Sequence, residues 1–223
     1  MNKESLRVEI TIGSQIIMPK YPIHIDALLY AALEANSDWN ESEIIAYLDE
    51  ILDQENGIYK ASAMRFLQDI RNPVTTKQVS FATRTHWEEW DIPISGNEKS
   101  ITTKGGPFRK RVTTYNAISA HLIDFHVVGN AEKIKFLLNL LGFIGLGNNQ
   151  GFGEIMDISI ERSEDYSFFD EHGELARNLP ISMIDQHKIQ DYLNLTNSVK
   201  PPYINSKRVL SCVPNFRIAT IRS

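Results

Sequence analysis

Five glycines fall within twelve residues in Gly142-Phe143-Ile144-Gly145-Leu146-Gly147-Asn148-Asn149-Gln150-Gly151-Phe152-Gly153. Glycine tolerates positive φ and lets a ligand approach the main chain closely. Successive N–H groups in such a run can therefore converge on phosphate oxygens. The glycines follow a leucine-rich helical segment and precede a strand, the reverse of the order in a dinucleotide fingerprint. No Gly-Lys-Ser/Thr follows to make a P-loop. Spacing alone leaves two readings, a backbone cradle for nucleic-acid phosphates and a tight helix-to-strand turn without a ligand. Asn148, Asn149 and Gln150, between the glycines, add amide donors and acceptors for phosphates or base edges.

A second segment, Lys104-Gly105-Gly106-Pro107-Phe108-Arg109-Lys110-Arg111, combines flexible glycines, one aromatic ring and four cations. Arg offers forked donors to phosphate, and Phe108 could stack on an unpaired base. Trp87, Trp90 and Tyr115 flank it, either as stacking platforms or as the packing of a hairpin on itself. The net charge is −5, yet the charges are segregated. No Lys or Arg occurs from Tyr21 to Tyr59, and no acid occurs from Lys99 to Ile123 or after Asp191. The local field, more than the net charge, decides phosphate binding.

The histidines bear on catalysis. His24, His86, His121 and His126 are the candidates for moving a 2′-hydroxyl proton. His121 and His126, five apart on what reads as one strand, would face opposite sides of a sheet and could pair only if a bulge intervened. His24 reads as a structural residue before a helix. No metal-ligand spacing, nucleophile triad or paired-carboxylate pattern stands out, so neither a metal nor a cofactor is expected. The single Cys212 excludes a disulfide framework within the chain.

The elements that must position these residues follow from periodicity. Residues 6–12 alternate and read as a strand, and Ile16-Ile17-Met18 as a short edge strand. Asp26 is expected to cap a helix through Leu33. A second helix runs from about Glu41 to Leu52, with Gly57 ending it. Val79–Thr85 is a strand, residues 86–112 a long hairpin or loop, and Tyr115–Val128 a long strand with room for a bulge. Asn130 caps a helix whose stripe is Ile134, Leu137, Leu138 and Leu141, with Gly142 at the C-cap position. Glu154–Arg162 is the next strand, and the tail from Asp165 holds short strands and a turn at Pro201-Pro202. This order predicts an α+β, ferredoxin-like (RRM) sheet over residues 1–165 with an inserted hairpin. A C-terminal extension over 166–223 packs on the same domain. No apolar run approaches the ~20 residues of a membrane span, and the N-terminus has no apolar signal region, so a cytoplasmic protein is expected.

Three segments together resemble a known family. The helix, glycine loop and strand are similar to the glycine-rich loop of the RAMP superfamily of CRISPR proteins. Pro22-Ile23-His24-Ile25-Asp26-Ala27-Leu28-Leu29 resembles the N-terminal motif of the Cas-five-like subunit of type IV CRISPR systems. Lys200-Pro201-Pro202-Tyr203, followed by Cys212-Val213-Pro214, resembles the C-terminal segment of the same branch. The resemblance implies a non-catalytic subunit that binds crRNA and caps its 5′ handle in a ribonucleoprotein effector complex. Its implied partners are repeated backbone RAMP subunits, a large subunit, a guide-processing ribonuclease, a helicase and target DNA. Gly145, Gly147, Asn148, Asn149, Gln150 and Gly151 would lie at the RNA. The superfamily loop often carries Lys or Arg between its glycines; here the amides stand there, and the charge must come from Lys104, Arg109, Lys110 and Arg111, with Phe108 stacking. The alternatives are a RAMP endoribonuclease that processes precursor crRNA and an acidic protein-interaction module that binds no RNA.

If Arg109, Lys110 and Arg111 neutralise guide phosphates, replacing all three by Ala removes up to three counterion-release events. The slope of log K against log salt for handle RNA, titrated with the chain in its complex, should fall by roughly two units. An unchanged slope would place the RNA elsewhere.

Overall fold

The alternating N-terminal segment is a strand because one side of it is buried and the other is not. In the computed structural model, Leu6, Val8, Ile10 and Ile12 are buried, while Arg7 and Glu9 point to the other face. The structure describes residues 2–83, 111–164, 166, 168–170, 172–184, 189, 191–203 and 206–221. The described elements are β1 (Glu4–Ile12), β2 (Ile16–Ile17), α1 (Ile25–Asn36), α2 (Glu41–Ile51), β3 (Gln54–Glu55), β4 (Ile58–Tyr59), β5 (Arg65–Gln68), β6 (Thr75–Thr83) and β7 (Arg111–Ser119). They continue with β8 (Leu122–Gly129), α3 (Ala131–Asn139), β9 (Ile155–Arg162), β10 (Leu179–Pro180), β11 (Tyr192–Asn197), β12 (Val209–Pro214) and β13 (Arg217–Thr220).

The fold is mixed α+β around a five-stranded sheet of order β13-β5-β8-β1-β9. β1 lies antiparallel between β8 and β9, β5 is antiparallel to β8, and β13 is parallel to β5. In this register Val8 pairs with Phe125 and Ile10 with Ile123, on the side that the helices cover. Burying each such side chain contributes about 1.5–3 kcal/mol. α1 adds Ile25, Leu28, Leu29 and Ala32 to this core, and α3 adds Ile134, Leu137 and Leu138. A separate sheet β2-β7-β6 and a third, β10-β12-β11, flank the main one.

Several local expectations change. Residues 115–128 run in one direction but are broken at Ala120-His121, where the sequence allowed a bulge. β7 lies antiparallel to β2 and β8 antiparallel to β1, and the register slips by one residue between the pairs Thr11–Leu122 and Ile16–Ile118. His121 sits at this bend, where its carbonyl accepts from the Ile12 N–H, outside the strand that holds His126. Gly57 does not end α2, which stops at Ile51. Asn56 and Gly57 both take left-handed φ, 52° and 77°, and form the two-residue turn of the β3–β4 hairpin. Gly142 is not left-handed, because α3 closes earlier with tight bonds from Leu140 to Leu137 and from Leu141 to Leu138. The cap of α2 is a capping box in which Asn40 accepts from the N–H groups of Ser42 and Glu43, and Glu43 accepts from that of Asn40.

Asp26 does not cap α1. His24 holds the N-cap position without a side-chain bond, and Asp26, in the first turn, points into the interior. There it accepts from the Tyr203 hydroxyl at 3.0 Å and from the Arg177 guanidinium at 3.3 Å. Arg177 is fully buried and also donates to the carbonyls of Tyr59 and Val199. His24 Nε2 accepts from the Asn178 N–H at 3.3 Å, and its ring stacks on Tyr203. The network joins the N-terminal segment, the β4 turn and the tail through ordered polar bonds.

Removing Arg177 leaves the Asp26 carboxylate buried without its cation, so Arg177→Met should destabilise the chain by about 3–5 kcal/mol. His24 adds a pH dependence. Burial, aided by the Arg177 charge, holds its pKa well below the ordinary value. The unfolded chain then binds the extra proton first, and the His24 contribution, present above about pH 6.5, is lost as pH falls below it. Thermal unfolding between pH 5 and 8 checks both; a wild-type-like Arg177→Met would show that the network carries no stability.

Candidate nucleic-acid interface

The glycine loop uses its glycines in two ways. Gly145, Gly147, Gly151 and Gly153 all take left-handed φ, between 74° and 94°. A Cβ on Gly153 would lie 1.8 Å from the Ile144 carbonyl oxygen, and one on Gly145 would lie 2.7 Å from that of Ile17. These two glycines let the loop press against its own return and against β2. Gly147 and Gly151 instead flank a single 3-10 turn, Asn148–Gln150, and a Cβ on Gly151 meets nothing within 4 Å.

The loop's amides are largely spent internally. Leu146 N–H donates to Ile17, Gly153 to Gln15, Gln150 and Phe152 to Gly147, and Gly151 to Asn148. These five groups do not converge outward, as the cradle reading of the sequence expected. The loop presents the side chains of Asn148, Asn149 and Gln150, all exposed at its tip.

That tip faces the outer half of the β6–β7 ladder across a cleft of about 290 Å3. Phe81 and Tyr115 from the hairpin line it together with Ile17, Gly147, Asn149 and Gln150. The Phe81 ring lies 6.0 Å from Tyr115 and 5.4 Å, edge to face, from Phe152. The cleft thus has aromatic walls and amide lips, an arrangement that can stack a flat ring and read its polar edge. The sequence pointed to Tyr115 but not to Phe81 or Phe152. The one available signal was the alternation of Val79 with Phe81 and the Gly-Phe-Gly ending of the loop.

The hairpin register runs from Thr75–Ser119 to Thr83–Arg111, so residues 84–110 connect its two outer ends. Lys104, Phe108, Arg109 and Lys110 lie outside the described residues, as do His86, Trp87 and Trp90. Arg111 is placed by its backbone, opposite Thr83.

The sheet face away from the helices carries charge in place of aromatic rings. Asp124 is fully buried there and accepts from Arg7 at 2.9 Å and from Arg65 at 2.9 and 2.8 Å. Arg65 also contacts His126 Nε2 at 3.2 Å, and Arg217 holds Asp170. A hollow of about 470 Å3 opens between them, with Tyr166 on its wall. Arg7, Arg65 and Arg217 each already hold a carboxylate, so a phosphate here would compete with those ion pairs.

The two glycine classes should separate on substitution. Gly153→Ala combines a left-handed penalty with a main-chain clash and should cost about 2–5 kcal/mol. Gly151→Ala meets no neighbour and should cost about 1–2 kcal/mol. Denaturant titration of both variants measures the gap; equal losses would contradict the packing of the loop on Ile144.

The profile of the family described as CRISPR type IV associated protein Csf3 matches residues 4–214. A search of the curated proteins returned no match. The matched span begins with β1 and ends with β12, and contains the glycine loop, the β6–β7 hairpin and the Asp26–Arg177–Tyr203 network. With nearly its whole length covered, the chain belongs to the Csf3 family of CRISPR type IV associated proteins.

Proposed function

We propose that this chain is a non-catalytic crRNA-binding subunit that caps the 5′ handle of the guide in a type IV CRISPR ribonucleoprotein complex. The observation that carries the reading is the cleft between the glycine-loop tip and the β6–β7 ladder. Tyr115 and Phe81 offer ring faces on which an unpaired base can stack, and Asn149 and Gln150 offer amides to its edge. The strand order β5-β8-β1-β9 supports it too. α1 and α2 follow the first of these strands, and α3 lies between the third and fourth in chain order. That is the split β-α-β arrangement, and we read the core as ferredoxin-like, of the RAMP kind.

In this reading Lys104, Arg109, Lys110 and Arg111 neutralise phosphates of the guide, and the partners are the repeated backbone subunits, the large subunit, target DNA and a helicase. The setting is the cytoplasm. We assign no catalytic role to the histidines. His24 is buried as an acceptor for Asn178, and Arg65 donates toward His126 Nε2, which suits a ring that accepts there and is not poised to give up a proton.

Tyr115→Ala should weaken handle-RNA binding by about 1–3 kcal/mol, roughly 5- to 150-fold, with little dependence on salt, while Tyr115→Phe keeps the ring and the affinity. Fluorescence titration of the complex at several salt concentrations measures this. A protein-only 260/280 absorbance ratio for the purified assembly would favour an interaction module without RNA.

A further inference from the structure

A second groove lies among residues that the RNA reading does not use. It has a volume of about 420 Å3 and is lined by Tyr30 and Glu34 of α1, Trp39, Glu41 of α2, and Pro201-Pro202 of the tail. Trp39 is 42% exposed, although its ring leans on Tyr47 at 5.3 Å between centroids. Tyr203 closes the inner end, and its hydroxyl is fixed by the buried Asp26 carboxylate at 3.0 Å. The wall of the groove is therefore anchored to the interior.

The rim is acidic. Glu34 and Glu41 both lie near the Tyr30 hydroxyl, which burial and then these two carboxylates raise above its ordinary pKa. From Tyr21 to Tyr59 the chain has no Lys or Arg, while Glu34, Asp38, Glu41, Glu43, Asp49 and Glu50 all fall in that span. A polyanion is repelled from such a surface. An arginine is attracted to it twice, by the carboxylates and by the face of an exposed tryptophan. The proline and alanine surface beside them takes an apolar group.

We propose that this groove is a protein-docking site that receives an arginine of another subunit of the assembly. The guanidinium sits between Glu34 and Glu41 against Trp39, and an adjoining apolar residue lies over Pro201-Pro202. The chain then presents one surface to nucleic acid and a different, acidic and aromatic one to protein. The proposal rests on membership of a CRISPR system, and it stands or falls independently of the cleft at the glycine loop.

The test uses the complex co-expressed with its neighbouring subunits. A photo-crosslinking benzoylphenylalanine in place of Ala31, on the groove wall, should capture an arginine-bearing peptide of another subunit, identified by mass spectrometry. Trp39→Ala, and separately Glu34→Gln with Glu41→Gln, should each lower retention of that subunit about tenfold at constant salt. Thermal unfolding should be unchanged for the glutamine variant, whose side chains are at the surface, and slightly lowered for Trp39→Ala, which loses the ring contact with Tyr47. Bound RNA should remain in both, read separately by the absorbance ratio. Crosslinks confined to RNA or to a second copy of this chain would overturn the proposal. So would full subunit retention in both variants with their folding intact.

Discussion

A fully buried guanidinium organises this molecule. Arg177 cannot be dehydrated at tolerable cost unless its donors find partners. Its two terminal nitrogens are met by Asp26, Tyr203 and the carbonyls of Tyr59 and Val199, while its Nε has no partner among the described residues. Those partners come from α1, from β4, and from one stretch of the tail, residues 199–203. One side chain thus ties together segments up to 177 residues apart in sequence, the separation of Asp26 and Tyr203. The start of α1 is set by the same centre, since His24 at its N-cap accepts from Asn178 and stacks on Tyr203. The last strand, β13, then completes the edge of the main sheet beside β5.

Around that frame, the two faces of the sheet divide the work. The helical face is apolar and supplies most of the burial. The other face gathers Arg7, Arg65, Asp124 and His126 into a compensated network, with Asp124 completely buried. A buried ion pair of this kind adds little net stability over an apolar pair, but it is costly to break. It therefore holds β1, β5 and β8 in register and is poorly suited to giving up an arginine to a ligand. Among the described residues, uncommitted chemistry lies at the loop tip and along the β6–β7 ladder, where amide side chains and rings face a cleft. The loop can present that tip because Gly145 and Gly153 allow its base to touch β2 and Ile144 directly.

Charge segregation gives the molecule polarity. The helical stretch without cations and the acid-free tail, where Lys207 and Arg208 are exposed, lie on different elements. A net charge of −5 is therefore compatible with a local basic surface, and the acidic helices are free for contacts with protein.

Much of the local structure was legible in the sequence by itself. Hydrophobic period marked β1, β9, α2 and α3, and Asn130 was read as the cap it is, accepting from Lys133. The glycine run was readable as a loop between a helix and a strand. These features depend on residues close in sequence, where backbone geometry and one buried face suffice. Tertiary structure decided the rest. Asp26 has the residue type of a cap, but a distant arginine draws it inward. The sequence allowed a bulge in the run 115–128 without locating it; the break at Ala120-His121 is fixed by partners distant in sequence, β2 and β6 for β7 and β1 and β5 for β8. Whether the loop's N–H groups point outward was likewise undecided by spacing. Most of their acceptors lie within the loop itself, but two, Gln15 and Ile17, are more than 100 residues away, and only folding brings them within reach.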